Sequence, residues 1–182
     1  TSASQEAVNG NTAQIFWNRM MMQAHNQQKS EAFKSLNQWK KYRKIDLDMD
    51  NERAVNVYNA TNYAMEAWMH TLFGDYNKAK SLLAKHYEIA KTWESAGAFD
   101  TYNGIYGMVY VMQGNPSKAL EYFDDRIDPG NYQYYSYFKA LALKATQKEE
   151  EAKAIFEFIA NYNFLSWEVG LTRNLAQKEL DS

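Results

Sequence analysis

Apolar residues recur at spacings of three and four along almost the whole chain. Ala32, Leu36 and Trp39 form one such run with Phe33 alongside, and Ile155, Phe158 and Ile159 form another. This is the period of a helix that buries one face; strand-like alternation is nearly absent. The pattern predicts helices over 12–26, 29–45, 51–73, 76–96, 99–113, 116–127, 132–146 and 149–161, closed by one at about 167–180. The breaks between them carry their own chemistry. In Gly114-Asn115-Pro116 the glycine ends one helix, the asparagine caps the next and the proline takes its first turn. Gly74-Asp75 does similar work, and Asp128-Pro129-Gly130-Asn131 is a turn. Asp46-Leu47-Asp48-Met49-Asp50 separates the first helix pair from the second, with acids placed to cap helix 51–73. The polar opening, residues 1–11, reads as a flexible tail, and 12–182 as a single helical domain. Helices joined by connections this short fold back as antiparallel neighbours, and several pairs in series suggest a solenoid.

A repeat supports that arrangement. Ala67-x-x-His70-x-x-x-Gly74-x-x-x-x-Ala79-x-x-x-Leu83 superimposes on Gly107-x-x-Tyr110-x-x-x-Gly114-x-x-x-x-Ala119-x-x-x-Phe123 and on Ala140-x-x-Leu143-x-x-x-Gln147-x-x-x-x-Ala152-x-x-x-Phe156. Each copy has a small residue, a bulky one, a turn, a second small residue and a large apolar one. Small residues let paired helices approach closely, and the large one fills the gap to the next pair. The pattern resembles the tetratricopeptide repeat, a helix-turn-helix unit. Phe16 to Leu36 reads as a degenerate earlier copy with Ala32 as its small residue. The resemblance implies an all-α, tetratricopeptide-like α-solenoid of about four antiparallel helix pairs plus a C-terminal capping helix. The alanines at 79, 119 and 152 are unevenly spaced, and the longer first interval implies a lengthened second helix around Tyr87 to Ala98. Tyr63, Asn103 and Ser136 stand where that family expects a tryptophan, and its late proline is absent. The end of the chain, Ala160-Asn161-Tyr162-Asn163-Phe164-Leu165 through Arg173-Asn174-Leu175-Ala176, is similar to the closing segment of some bacterial tetratricopeptide proteins and implies a bacterial origin.

Composition narrows the function classes. The 182 residues carry a formal net charge of −2, without the basic excess of a nucleic-acid binder. The basic run Lys40, Lys41, Arg43 and Lys44 sits at a predicted helix C-terminus, where positive charge suits the helix dipole. The absence of cysteine removes disulfides, thiolate metal sites and thiol nucleophiles together. This fits either the cytoplasm or an exported protein from which a leader was removed. No apolar stretch reaches the roughly 18 residues that span a bilayer.

Candidate chemistry is sparse. His25, His70 and His86 lie near no acid cluster at metal spacing, apart from Glu66 four residues before His70. Asp46, Asp48 and Asp50 match the start of a calcium loop, but Asn51 replaces its turn glycine and Val57 its final glutamate, so no metal is expected. There is no Gly-x-Ser-x-Gly elbow and no glycine-rich phosphate loop, so neither catalysis nor a cofactor is expected. Asn59-Ala60-Thr61 fits a glycosylation sequon but falls in a predicted helix. Met20, Met21 and Met22 read as core filling or as an adaptable binding patch. Tyr132, Tyr134, Tyr135, Tyr137 and Phe138 are too dense for one helix face to bury, which points to a partly exposed binding face.

In tetratricopeptide proteins the first helix of each pair lines a concave groove. Position by position, the resemblance assigns to that groove Trp68 and Leu72, then Met108, Val111 and Met112, then Tyr137, Leu141 and Lys144, with Trp17, Met21 and His25 as its extension and Tyr134 beside it. The expected function is a protein- or peptide-binding scaffold. Its apolar, aromatic lining implies a partner with an apolar segment. The alternatives are a homo-oligomeric assembly module and, third, a small-ligand binder or enzyme.

Overall fold

Four times along the chain a helix ends on a residue in the left-handed backbone region, and each time the next helix begins at once. The residues are Gln27, Gly74, Gly114 and Gln147, with φ of 59°, 78°, 72° and 62°. The N–H of the following residue reaches the carbonyl five positions back: Gln28 to Gln23 at 2.9 Å, Asp75 to His70 at 2.8 Å, Asn115 to Tyr110 at 2.9 Å and Lys148 to Leu143 at 3.0 Å. These are Schellman turns, which satisfy carbonyls that the helix end would leave without a partner. Five residues after each turn stands an alanine at 0–1% exposure: Ala32, Ala79, Ala119 and Ala152. Four further on stands Leu36, Leu83, Phe123 or Phe156, each buried. The repeat therefore has four copies, and the one over Phe16 to Leu36 has the same turn as the rest. The opposite wall is equally tight. A Cβ on Gly107 would overlap the ring of Phe123.

The computed structural model describes residues 3–95, 97–164 and 166–182, and among them the chain is all helical. The helices are α1 (Ala3–His25), α2 (Lys29–Ile45), α3 (Glu52–Leu72), α4 (Tyr76–Ala90), α5 (Asp100–Met112), α6 (Pro116–Leu120), α7 (Gln133–Ala145), α8 (Glu149–Ala160) and α9 (Trp167–Leu180). Contacts divide the chain into two compact units, Thr1–Glu94 and Ser95–Ser182, where the sequence reads one domain over 12–182.

In the first unit α1 folds back on α2 and α3 on α4, and α2 meets α3. Residues equidistant from Lys29, the first residue of α2, face each other, as an antiparallel hairpin requires: Ser35 donates to Gln23 at 2.7 Å, and Phe16 stacks on Tyr42. The centre is a cluster of three indoles, with Trp17 lying 5.7 Å from both Trp39 and Trp68. In the second unit α5 packs on α6 and α7, α7 on α8, and α9 closes over both α7 and α8. Tyr137, Ala140, Leu143, Phe156, Ile159 and Ala176 form one cluster there. Glu168 of α9 fixes the closure, because its carboxylate accepts the Tyr134 N–H at 2.9 Å and so caps the start of α7.

Several boundaries depart from the sequence reading. The opening is helical from Ala3, and Asn9 is buried and donates to Asp46 at 2.8 Å. Thr1, Ser2, Ala96 and Leu165 lie outside the described residues, and with them the ends of the expected tail and the last residue of the Ala160–Leu165 motif. α4 is not lengthened to Ala98. It ends at Ala90, where Thr92 and Trp93 donate to carbonyls only three residues back and Trp93 turns its ring against His86. α6 stops at Leu120 and not near 127. Arg126 grips the buried Asp100 with bonds of 2.7 and 2.9 Å, Tyr132 donates to the same carboxylate at 2.7 Å, and this network draws the chain off the helical path. The aspartates before α3 do not cap it; the Asn51 side chain does, accepting the Ala54 N–H at 3.0 Å. Asn115 caps α6 as expected.

His86 is buried, and its Nδ1–H donates to the Ala60 carbonyl at 3.0 Å while Nε2 has no hydrogen-bond partner. Burial pushes its pKa below the ordinary 6.5. The neutral ring is therefore the native form, and the unfolded chain takes up the proton first.

Two predictions follow from these contacts. Gln147→Gly relieves a side chain held at positive φ and is expected to stabilise the protein by up to about 1 kcal/mol, whereas Gly114→Ala destabilises by about 1 kcal/mol. Urea midpoints that move in the same direction for both variants reject the shared turn geometry. The His86 contribution is fully present above pH 6.5 and declines as pH falls below it, by at most about 1.4 kcal/mol per pH unit. Asp100, held low by Arg126, loses its own contribution only below the ordinary carboxyl value of 3.8. Urea unfolding between pH 7.5 and 5 measures the slope, and His86→Gln is expected to flatten it.

Candidate binding surface

Six of the residues assigned to the groove lie in the core of their own unit. Trp17, Met21, Trp68, Met108, Tyr134 and Tyr137 are all at 8% exposure or less. They share a helical period with exposed positions, but the face they occupy is the one turned into the helix pairs. Trp17 and Trp68 belong to the indole cluster. Tyr134 packs against Trp167 and Phe138, and Tyr137 against Phe156. The tyrosine-dense segment read as a binding face is thus mostly core. Tyr135 is also buried and Tyr132 half-buried, the latter with its hydroxyl pKa pushed up to about 12 by burial and by its bond to Asp100. Met20 and Met21 fill the core while Met22 is exposed.

The remaining candidates are scattered. His25 is half-buried, and burial lowers its pKa. Leu72, Val111 and Leu141 are half-buried, and Met112 is 37% exposed. Lys144 is held by the Glu179 carboxylate at 3.0 Å and by Ser182 Oγ at 2.7 Å, so its cation ties α7 to the end of α9. Next to it lies a cleft of about 460 Å³ with an apolar floor of Ala152, Phe156 and Leu180. Its acids Glu149 and Glu150 sit in the first turn of α8, where the helix dipole accounts for them.

A different aromatic surface is present on α5. Tyr102, Tyr106 and Tyr110 are spaced by four and share one face of the helix. Tyr122, just beyond α6, inserts its ring against them. Its centroid lies 4.9 Å from Tyr106 at 11° between planes, and 5.5 Å from Tyr110 at 26°. Tyr102 meets Tyr106 at 4.7 Å, and Phe99 meets Tyr102 edge-on. All four tyrosines are half-buried, so the stack is packed from within and accessible from without. Burial raises the pKa of Tyr106 and Tyr122, which keeps their hydroxyls neutral and able to donate. The surface joins a large apolar area to hydrogen-bonding tips, the combination that favours tyrosine at interfaces. The four-residue spacing on α5 was visible in the sequence, where Tyr110 registered only as the bulky repeat residue. The contribution of Tyr122 depends on closure of the hairpin.

Elsewhere His70 Nδ1 lies 3.2 Å from Asp75, whose carboxylate also takes Lys29 at 2.6 Å, which lowers the Asp75 pKa. That triad ties α2 to the α3–α4 turn. Among the described residues no group of three or more histidines and carboxylates is placed to hold a metal ion, and no helix is long and apolar enough to cross a membrane.

The burial of Trp68 and Met108 has a direct consequence. Trp68→Ala is expected to cost about 3–5 kcal/mol and Met108→Ala about 2–5 kcal/mol of stability. Urea unfolding followed by circular dichroism measures both, and wild-type stability in either variant would return that residue to an open surface. No family model matches this chain, and neither the curated proteins nor the solved structures compared with it yield a match.

Proposed function

We propose that this chain is a protein- or peptide-binding scaffold, built as a tetratricopeptide-like solenoid and contacting its partner through the tyrosine face of α5. The observation that carries the reading is the half-exposed stack of Tyr102, Tyr106, Tyr110 and Tyr122 on a helix pair closed by the shared turn. A stacked ring has little conformational freedom left to lose, so contact with it costs little entropy. Four identical turns in one chain support the family resemblance, and a rigid hairpin suits presentation of a recognition face.

Display selection of peptides against the whole protein, followed by affinity measurement, tests this. Tyr106→Ala combined with Tyr122→Ala is expected to weaken the selected peptides by about 2 kcal/mol, roughly thirtyfold, with helical content retained. Unchanged affinity in a helical double variant rejects the tyrosine face as the contact.

One observation favours self-association as a second reading. Phe158, Tyr162 and Phe164 form an aromatic ladder with centroids 5.4 and 5.7 Å apart, and Phe164 is 73% exposed. Exposed apolar clusters of this sort mark contact sites. A monomer whose sedimentation is independent of concentration eliminates that reading.

A further inference from the structure

The first unit contains a cation that the fold has not neutralised. Arg43, near the end of α2, is half-buried, with its guanidinium carbon 4.5 Å from the Trp39 ring and 5.5 Å from the Tyr58 ring. Its hydrogen-bond acceptor is a neutral amide oxygen, Asn62 Oδ1, at 3.5 Å, the outer limit of such a bond. Among the described residues no carboxylate lies within ion-pair distance of it. Three acids of the flanking segments have partners of their own. Glu66 takes Lys40 at 2.5 Å, Asp46 takes Asn9 at 2.8 Å, and Asp48 accepts the Asp50 N–H at 3.1 Å. Burial lowers the Arg43 pKa, as expected for a charge that has lost water without gaining an anion. A fully buried cation is ordinarily paired; Arg43, half-buried, meets two aromatic rings and one amide oxygen instead.

The guanidinium lines a cleft of about 350 Å³ between the end of α2 and the start of α3. Arg53 stands on the same cleft, exposed and in no ion pair among the described residues. The remaining lining is largely apolar: Leu47, Ala54, Val57 and the Tyr58 ring. Tyr58 is fixed there because its hydroxyl donates to the Lys40 carbonyl at 3.1 Å. The two rings and the Asn62 amide oxygen restrict the Arg43 guanidinium. A planar fork so held matches a carboxylate bidentately. The apolar wall beside it suits a hydrocarbon chain rather than a bare, strongly hydrated anion such as phosphate.

We propose that the Arg43–Arg53 cleft binds a carboxylate carried on a short hydrocarbon chain, with Arg43 forking the carboxylate and Leu47, Ala54 and Val57 covering the chain. Arg53 adds a second, solvent-exposed positive charge at the mouth. The ligand is either a free aliphatic acid or the last residue of a peptide that ends in an apolar side chain. The site is made wholly within the first unit and does not depend on the tyrosine face, so either can fail without the other.

Octanoate is the first probe, titrated into the whole protein and followed by amide and methyl shifts in NMR spectra, with octanol and octylamine as controls. The expected result is saturable octanoate binding that shifts Val57 and Ala54. Octanol and octylamine are expected to bind at least about tenfold more weakly, the minimum worth of a charge-assisted bond. Arg43→Lys keeps the charge but loses the fork, and is expected to weaken octanoate severalfold; Arg53→Met does so less, with a reduced salt dependence. Val57 is exposed, so Val57→Trp fills the cleft without disturbing the core and is expected to abolish binding in a protein of unchanged melting temperature. An acetylated tripeptide ending in leucine, with a free or an amidated C-terminus, separates the two sources. Binding of the free form alone assigns a peptide end, and binding of octanoate without either tripeptide assigns a small acid. Octanol binding as tightly as octanoate, retained binding in Val57→Trp, or no saturable shift with either carboxylate overturns the proposal.

Discussion

Each hairpin depends on one backbone residue held at positive φ between two helices. The turn returns the second helix at a fixed offset, and at that offset Ala32, Ala79, Ala119 and Ala152 are buried, with a large buried residue four positions later. Where the first helix must come closest, at Gly107, even a methyl group is excluded by the Phe123 ring. Turn geometry, residue size and helix separation are therefore one constraint expressed at three positions. The turn does not need glycine to form. Gln27 and Gln147 adopt it because the hydrogen bonds and the packing beyond it outweigh the local steric cost.

Helix positions and the repeat were legible in the sequence because both are written in a local code. A period near 3.6 and an alanine five residues after a turn can be read along the chain without knowing what lies across from it. The first copy shows the limit of that code: glutamine carries no signal for a left-handed backbone, so only its offset from Ala32 and Leu36 marks it. Boundaries set by distant partners were not legible. α6 is five residues long because Arg126 binds Asp100, 26 positions earlier. The opening is helical where Asn9 finds Asp46, 37 positions later.

The binding residues were the least legible. A helical period shows that one face is buried without showing which, and the family-based assignment selected Trp17, Trp68 and Met108 from the face that turned out to be core. Density misled in the same way around Tyr134, since α9 arrives from more than thirty residues away to cover it. Both the ring of Tyr122 against α5 and the missing counter-ion of Arg43 are facts about what meets across a hairpin. Each was invisible until the hairpins closed.

The indole cluster also gives the chain an uneven optical character. Trp17, Trp39, Trp68 and Trp93 all belong to the first unit, whereas the second has Trp167 together with the stacked tyrosines of α5. Light absorbed above about 295 nm, where only indoles absorb, is thus taken up mostly by residues before Glu94. Emission excited there reports chiefly on the first unit, where the Trp17 ring lies 5.7 Å from both Trp39 and Trp68.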